Sequence, residues 1–148
     1  MVFDTSESAK NYVKSINTYS TSGQIDQWDL YYYCALLGLK YLRLCDDDIR
    51  LEEFAKTYTK AYFRSRNLIA GLLVDAELRR TGQDVTKDNI SHMFSQYLCT
   101  SDLVLNPEGI DRLNRYAQGG FEYLNEKASK LNDAYSLIRT CIKLINEE

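Results

Sequence analysis

Apolar positions recur every three to four residues over most of this chain, and that spacing predicts helices. Tyr12, Val13, Ile16 and Tyr19 mark a first helix from about 7 to 19, capped near Ser6, with a loop from Ser20 to Gly23. Trp28, Tyr31, Tyr32, Ala35, Leu36 and Leu39 form a broad stripe on a second helix, about 26 to 44, with Asp26 as its cap. A stripe that wide belongs to a central helix. Leu51, Phe54, Tyr58 and Tyr62 predict a third helix, about 49 to 63. Asp46-Asp47-Asp48 stands at its start, where the macrodipole favours negative charge. A fourth helix, about 66 to 81, carries Leu68, Ile69, Leu72, Leu73, Ala76 and Leu78 and stops on Arg79, Arg80 and Gly82. A fifth begins after Thr86, with Ile90, Met93, Phe94, Tyr97 and Leu98 in phase. Asn106-Pro107-Glu108 then opens the last segment with a cap and a proline at the first helical position.

That last segment holds the main puzzle of the pattern. Leu113, Ala117, Gly120, Leu124, Ala128, Leu131, Tyr135, Ile138, Ile142 and Ile145 are spaced 4, 3, 4, 4, 3, 4, 3, 4 and 3. The seam passes through Gly119-Gly120 without losing phase, although each glycine costs a helix interior about 1 kcal/mol relative to alanine. Gly120 is therefore expected on a buried face, closely packed against the second helix near Ala35 and Gly38. Gly119 lies beside the seam, where alanine should be tolerated. The run reads as one long helix over 107–146, or as two helices joined near Ser129, and the unbroken phase favours the first. Leu131, Tyr135, Ile138, Ile142 and Ile145 have the spacing of a seam for a second chain.

No strand has convincing alternation, and the single proline and seven glycines leave little punctuation. The fold class expected is all-α: a single domain, 1–148, of six or seven helices with a long C-terminal helix.

Composition adds exclusions. A net charge of −3 gives no overall field for phosphate. MVFDTSESAK has no basic and apolar leader, and no run of about 18 apolar residues would cross a membrane. A cytoplasmic protein without membrane contact is expected, with Cys34, Cys45, Cys99 and Cys141 as free thiols. Twelve tyrosines against five phenylalanines favour boundaries between core and surface.

Candidate chemistry is sparse. His92 is the only histidine, and no cysteine lies at zinc spacing, so no metal or other cofactor is expected. On one helix, His92 and Cys99 would be anchored about 10 Å apart at about 1.5 Å per residue, too far for a nucleophile and its base. Glu52-Glu53 and Asp75-Glu77 read as helix-surface charges, and no phosphate loop is present. The expectation is a protein that is not an enzyme. Lys60, Arg64, Arg66, Arg79 and Arg80, with Arg112 and Arg115 further on, suggest a modest basic patch for nucleic acid as an alternative.

Three stretches carry a resemblance: ALLGL (Ala35–Leu39), LIAGLLVDAEL (Leu68–Leu78) and NPEGIDRLNRYAQGGFEYL (Asn106–Leu124). Over about residues 30 to 125 the chain resembles small helical accessory proteins encoded beside bacterial DNA phosphorothioation (Dnd-type) and related anti-phage defence systems. The resemblance implies a helical, non-enzymatic subunit working with a larger protein of a defence or DNA-modification complex. It brings no catalytic residues. The expected partners are that larger protein or a second copy of this chain, through the 131–145 seam, with nucleic acid as the alternative.

Overall fold

The computed structural model describes residues 2–128 and 130–148. Its elements, in chain order, are β1 (Phe3–Thr5), α1 (Glu7–Tyr19), α2 (Gln27–Tyr41), β2 (Glu52–Ala55), α3 (Lys60–Phe63), α4 (Arg66–Arg80), α5 (Lys87–Tyr97), α6 (Pro107–Lys127) and α7 (Ala134–Asn146). The protein is thus mostly helical, as the spacing predicts, with a small two-stranded sheet added.

Helix starts follow local chemistry. Ser6 accepts from the Ala9 amide, Thr86 from Asn89, and Asn106 from Gly109. Asp26 and Asp29 form a reciprocal capping box at the start of α2. Beyond α4, Gly82 takes φ +68, the left-handed backbone that glycine adopts without a Cβ clash.

α2 is the central helix. Its Trp28, Tyr31, Ala35 and Leu39 face one core, with Phe3, Leu73 of α4, Tyr97 of α5 and Tyr116 of α6. Its Leu30, Cys34 and Leu37 face a second core, with Ile16 of α1, Leu124 of α6 and Leu137 and Cys141 of α7. α2 and α6 run in the same general direction, since Tyr31 bonds Asn114 near their starts and Tyr41 stacks on Tyr123 near their ends. They touch backbone to backbone. A Cβ on Gly38 would stand 1.9 Å from the Tyr116 carbonyl oxygen, and one on Gly120 would stand 1.7 Å from that of Cys34. The expected close packing at Gly38 and Gly120 is what the fold contains. Gly119 departs from expectation: its Cβ would lie 2.0 Å from the Arg43 carbonyl oxygen. The chain leaving α2 passes over it, a contact that lies far away in sequence.

Two further expectations are corrected. The helix expected over 49–63 is β2, a loop carrying buried Tyr58, and the single turn α3. β2 pairs antiparallel with β1, Thr5 opposite Glu52 and Asp4 opposite Glu53. Phe3, fully buried, then packs on Trp28, Tyr31 and Tyr58 with ring centroids 4.7–5.9 Å apart. Leu51, Phe54, Tyr58 and Tyr62 have helical spacing, yet the strand's partner is Phe3–Thr5, far away in sequence. Asp46-Asp47-Asp48 therefore caps no helix; it forms a turn in which Asp47 pairs with Arg115 at 3.0 Å.

The long helix over 107–146 is also corrected. α6 ends at Lys127, with Ala128 extended, and α7 starts at Ala134. The joint expected near Ser129 lies outside the described residues. The longest helix is α6, of 21 residues, whereas the C-terminal α7 has 13. Asp133 sets the new start. It accepts from the Ser136 amide, the Thr21 amide and the Ser22 hydroxyl, at 3.3, 3.1 and 2.8 Å, tying α7 to the loop between α1 and α2.

Candidate functional site

α7 is apolar over more than one face. Ala134, Leu137, Cys141 and Leu144 are buried on α2 and its neighbours. The seam residues stand one position over. Tyr135 is 63% and Ile142 45% exposed, while Leu131, Ile138 and Ile145 are half-buried at the edge. One helix of 13 residues thus carries two adjacent apolar stripes, the inner one buried and the outer one covered only in part.

Tyr135, Ile138, Arg139 and Ile142 line a shallow depression of about 210 Å³. Ile145 continues the surface into a second one, of about 270 Å³, with Leu36 and Leu39 of α2 and Leu72 of α4. Its rim is cationic. Lys40 donates to the Ile145 carbonyl at 2.5 Å, and Arg79 donates to the Leu39 and Lys40 carbonyls at 3.0 and 3.3 Å. Both cations thereby serve helix C-termini, where the last carbonyls lack partners. Arg139 and Lys143 form no ion pair among the described residues.

The basic residues divide into two groups. Arg79 pairs with Asp75 at 3.0 Å and Arg80 with Glu77 at 2.6 Å, both within α4. Arg112 reaches Glu77, and Arg115 is held by Asp47 and Asp111. Lys60, Arg64 and Arg66 form no ion pair among the described residues, and the Arg66 guanidinium lies 3.7 Å from the centre of the exposed Phe63 ring. The structure does not merge the two groups into one patch.

Glu77 is the residue that sequence reasoning misplaced. It is completely buried, not a surface charge. Tyr97 and Tyr116 donate to it at 2.7 and 2.6 Å, Arg80 at 2.6 and 3.1 Å, and Arg112 lies 3.5 Å away. Burial pushes its carboxyl up, but the bonds from Arg80, Tyr116 and Tyr97 outweigh that and hold it below the usual range. A carboxylate this saturated pins α4, α5 and α6 together. Its signal in the sequence was its phase, four residues from Leu73 and one from Leu78, inside the apolar stripe.

His92 is exposed on α5, and Cys99 lies past the end of that helix with its Sγ 3.1 Å from the Ser101 hydroxyl. No three His, Cys, Asp or Glu side chains among the described residues converge as metal ligands. No described helix is long and apolar enough to cross a membrane. Against protein-family models, curated proteins and solved structures, the chain matches none. The surface geometry therefore carries the functional reading by itself.

Proposed function

We propose that this protein is a non-enzymatic interaction subunit that docks an acidic amphipathic helix on the outer face of α7. The observation that carries the reading is the second apolar stripe, with Tyr135 and Ile142 exposed and Ile138 half-buried between them, beside Arg139 and Lys143. Apolar anchors at i, i+3 and i+7 are the pattern that a helix-in-groove partner reads. The unpaired cations beside them favour carboxylates on that partner. They also disfavour a second copy of this chain, which would bring like charges together. On the resemblance alone, the partner would be a larger protein of a bacterial DNA-modification or anti-phage defence complex.

Deleting residues 130–148 would also remove the buried stripe of α7, so point substitutions make the cleaner test. A labelled, designed amphipathic peptide with glutamates flanking its apolar face should bind, and its lysine-flanked counterpart should not. Tyr135→Ser with Ile142→Ser should weaken binding at least tenfold with the fold unchanged by circular dichroism. Equal binding of both peptides, or an unaffected double variant, would sink the reading; concentration-dependent sedimentation reversed by the same variant would replace the partner by a second copy.

The alternative, a nucleic-acid regulator, is favoured by one observation: Lys60, Arg64 and Arg66 form no ion pair among the described residues and stand near the exposed Phe63. Under this reading, single-stranded DNA binding should fall steeply with salt, and more gently in Arg64→Ala.

A further inference from the structure

Beside its apolar depression, α7 carries a polar one. Ser136, Arg139, Thr140 and Lys143 line it, over about 320 Å³. Their spacing of i, i+3, i+4 and i+7 sets all four on one side of the helix. Arg139 also lines the depression of Tyr135, Ile138 and Ile142, so the two hollows share a wall. One is apolar, and the other is basic and hydroxylic.

The positive charge of the polar hollow is not neutralised by its own helix. Arg79, Arg80, Arg112 and Arg115 are each held by a carboxylate. Arg139 and Lys143 are exposed and form no ion pair among the described residues. The nearest acids along the chain stand at the two ends of α7, Asp133 and Glu147. Asp133 is spent on donors from Ser20, Thr21, Ser22 and Ser136, and Glu147, one turn beyond Lys143, forms no ion pair among the described residues. Ser136 meets Asp133 through its backbone amide, so its hydroxyl is not used by that cap.

Two cations and two hydroxyls on one small surface select among anions. A carboxylate offers two oxygens in one plane and a single charge. A phosphate monoester carries about −1.5 to −2 at pH 7 and presents three strong acceptor oxygens. Arginine meets two of those oxygens with parallel N–H bonds, lysine adds a point charge, and a hydroxyl serves the third oxygen. A nucleic-acid phosphate is a diester with one charge, and its backbone brings no aliphatic anchors to the adjoining stripe.

We infer that Ser136, Arg139, Thr140 and Lys143 form a subsite for a phosphate monoester, and that the helix docked on Tyr135, Ile138 and Ile142 presents a phosphoserine or phosphothreonine to it. The inference rests on the docking reading above and names the anion that the partner carries. Phosphorylation of the partner is then what makes docking tight, because the apolar anchors and the dianion engage adjacent hollows of one helix.

Fluorescence anisotropy on the full chain tests this with three versions of one labelled amphipathic peptide, carrying glutamate, phosphoserine or serine at the position beside its apolar face. Phosphoserine should bind roughly tenfold or more tightly than glutamate, the scale of one added hydrogen bond to a charged group, and serine should bind least. The advantage should fall from about pH 7 to about pH 5, as the phosphate takes up its second proton near pH 6. Arg139→Gln and Lys143→Gln, both at exposed positions, should each remove most of the advantage of phosphoserine over serine. Thr140→Val should reduce it less. Glutamate binding as tightly as phosphoserine would overturn the subsite and leave the docking reading standing, whereas failure of all three peptides would overturn the docking reading itself. A phosphoserine advantage undiminished in Arg139→Gln and Lys143→Gln would place the phosphate elsewhere and overturn the assignment. Displacement of the phosphopeptide by oligothymidylate at equal phosphate concentration would overturn it in favour of nucleic acid.

Discussion

Gly120 of α6 lies so close to Gly38 of α2 that a Cβ on Gly120 would stand 2.7 Å from the Gly38 nitrogen. The same Cβ would be 1.7 Å from the Cys34 carbonyl oxygen, inside any permitted contact. Backbone atoms in a packed helix cannot rotate aside as a side chain can. Alanine at 120 gains about 1 kcal/mol of helix propensity. Overpacking ordinarily costs about 1–3 kcal/mol, and a clash with backbone belongs at the top of that range or above. Gly120→Ala should therefore lose about 2 kcal/mol or more in urea unfolding, with Gly38→Ala similar and Gly119→Ala also destabilised by the Arg43 carbonyl. Gly71, mid-helix in α4 with nothing within 4 Å of its Cβ position, is the control and should gain up to about 1 kcal/mol as alanine. Equal stability of Gly120→Ala and Gly71→Ala would refute the close approach.

The Glu77 centre gives the second prediction. Removing its charge strands Arg80 and Arg112 and leaves two tyrosine hydroxyls without their acceptor. Glu77→Gln should cost about 3 kcal/mol, the low end for a broken buried pair, because the Arg80 side chain is 35% exposed and water recovers part of the loss. Tyr97→Phe and Tyr116→Phe should each cost about 1.5–3 kcal/mol, and the double variant should depart from their sum because both donate to one carboxylate. The folded carboxyl sits below its ordinary 4.5, so its contribution is complete above that pH and is lost as pH falls through the folded value. A Glu77→Gln variant as stable as the wild type at pH 7 would show the network to be ornamental.

Local signals in the sequence carried much of the fold. Asp26, Thr86, Asn106 and Gly82 announced helix boundaries by chemistry confined to a few residues: the first three cap the starts of α2, α5 and α6, and Gly82 lies just past the end of α4. The 4-3 phase through Gly120 placed it at a helix contact for the same reason. Features that depend on distant partners were not legible. β2 needs β1, the Gly119 contact needs Arg43, and the burial of Glu77 needs Tyr97 and Tyr116. The break before α7 was within reach, because Asp133 three residues ahead of Ser136 is a cap signal that the continuing phase obscured. The seam residues were identifiable, but their split from the buried stripe at Leu137 and Cys141 follows from how α7 lies on α2.

Thiol accessibility should be sharply divided. Cys34, Cys45 and Cys141 are buried, and burial pushes the Cys141 thiol up to about 12 and that of Cys34 well above its usual value. Cys99 is exposed. The native protein should show one fast thiol toward a disulfide reagent at pH 8, with the other three appearing at the rate of unfolding, and Cys99→Ser should abolish the fast phase. Fast reaction of Cys34 or Cys141 in the native protein would mean that α7 opens from α2 far more readily than its buried stripe implies.

Asp133 ties the start of α7 to the α1–α2 loop and should resist such opening. Its carboxylate accepts from Ser22, Ser136, Thr21 and Ser20, while the Ser20 and Ser22 hydroxyls accept in turn from the Ala134 and Tyr135 amides at 3.0 and 2.9 Å. The hydrogen bond from Ser22 leads in holding the acid down to about 2, against an ordinary 3.8. A depressed carboxyl stabilises the fold above its unfolded value and ceases to do so as pH drops through its folded one. The window is therefore about pH 4 to about pH 2. Asp133→Ala should lower the urea midpoint at pH 6, and the gap from wild type should shrink steadily across that window as the wild-type carboxylate is protonated. Hydrogen exchange should locate the effect, with the first turn of α7 and the Ser20–Ser22 amides losing protection before α2 does. A midpoint gap that stays constant from pH 6 to pH 2 would show that Asp133 acts through packing, and the charge-mediated clasp between α7 and the α1–α2 loop would have to be abandoned.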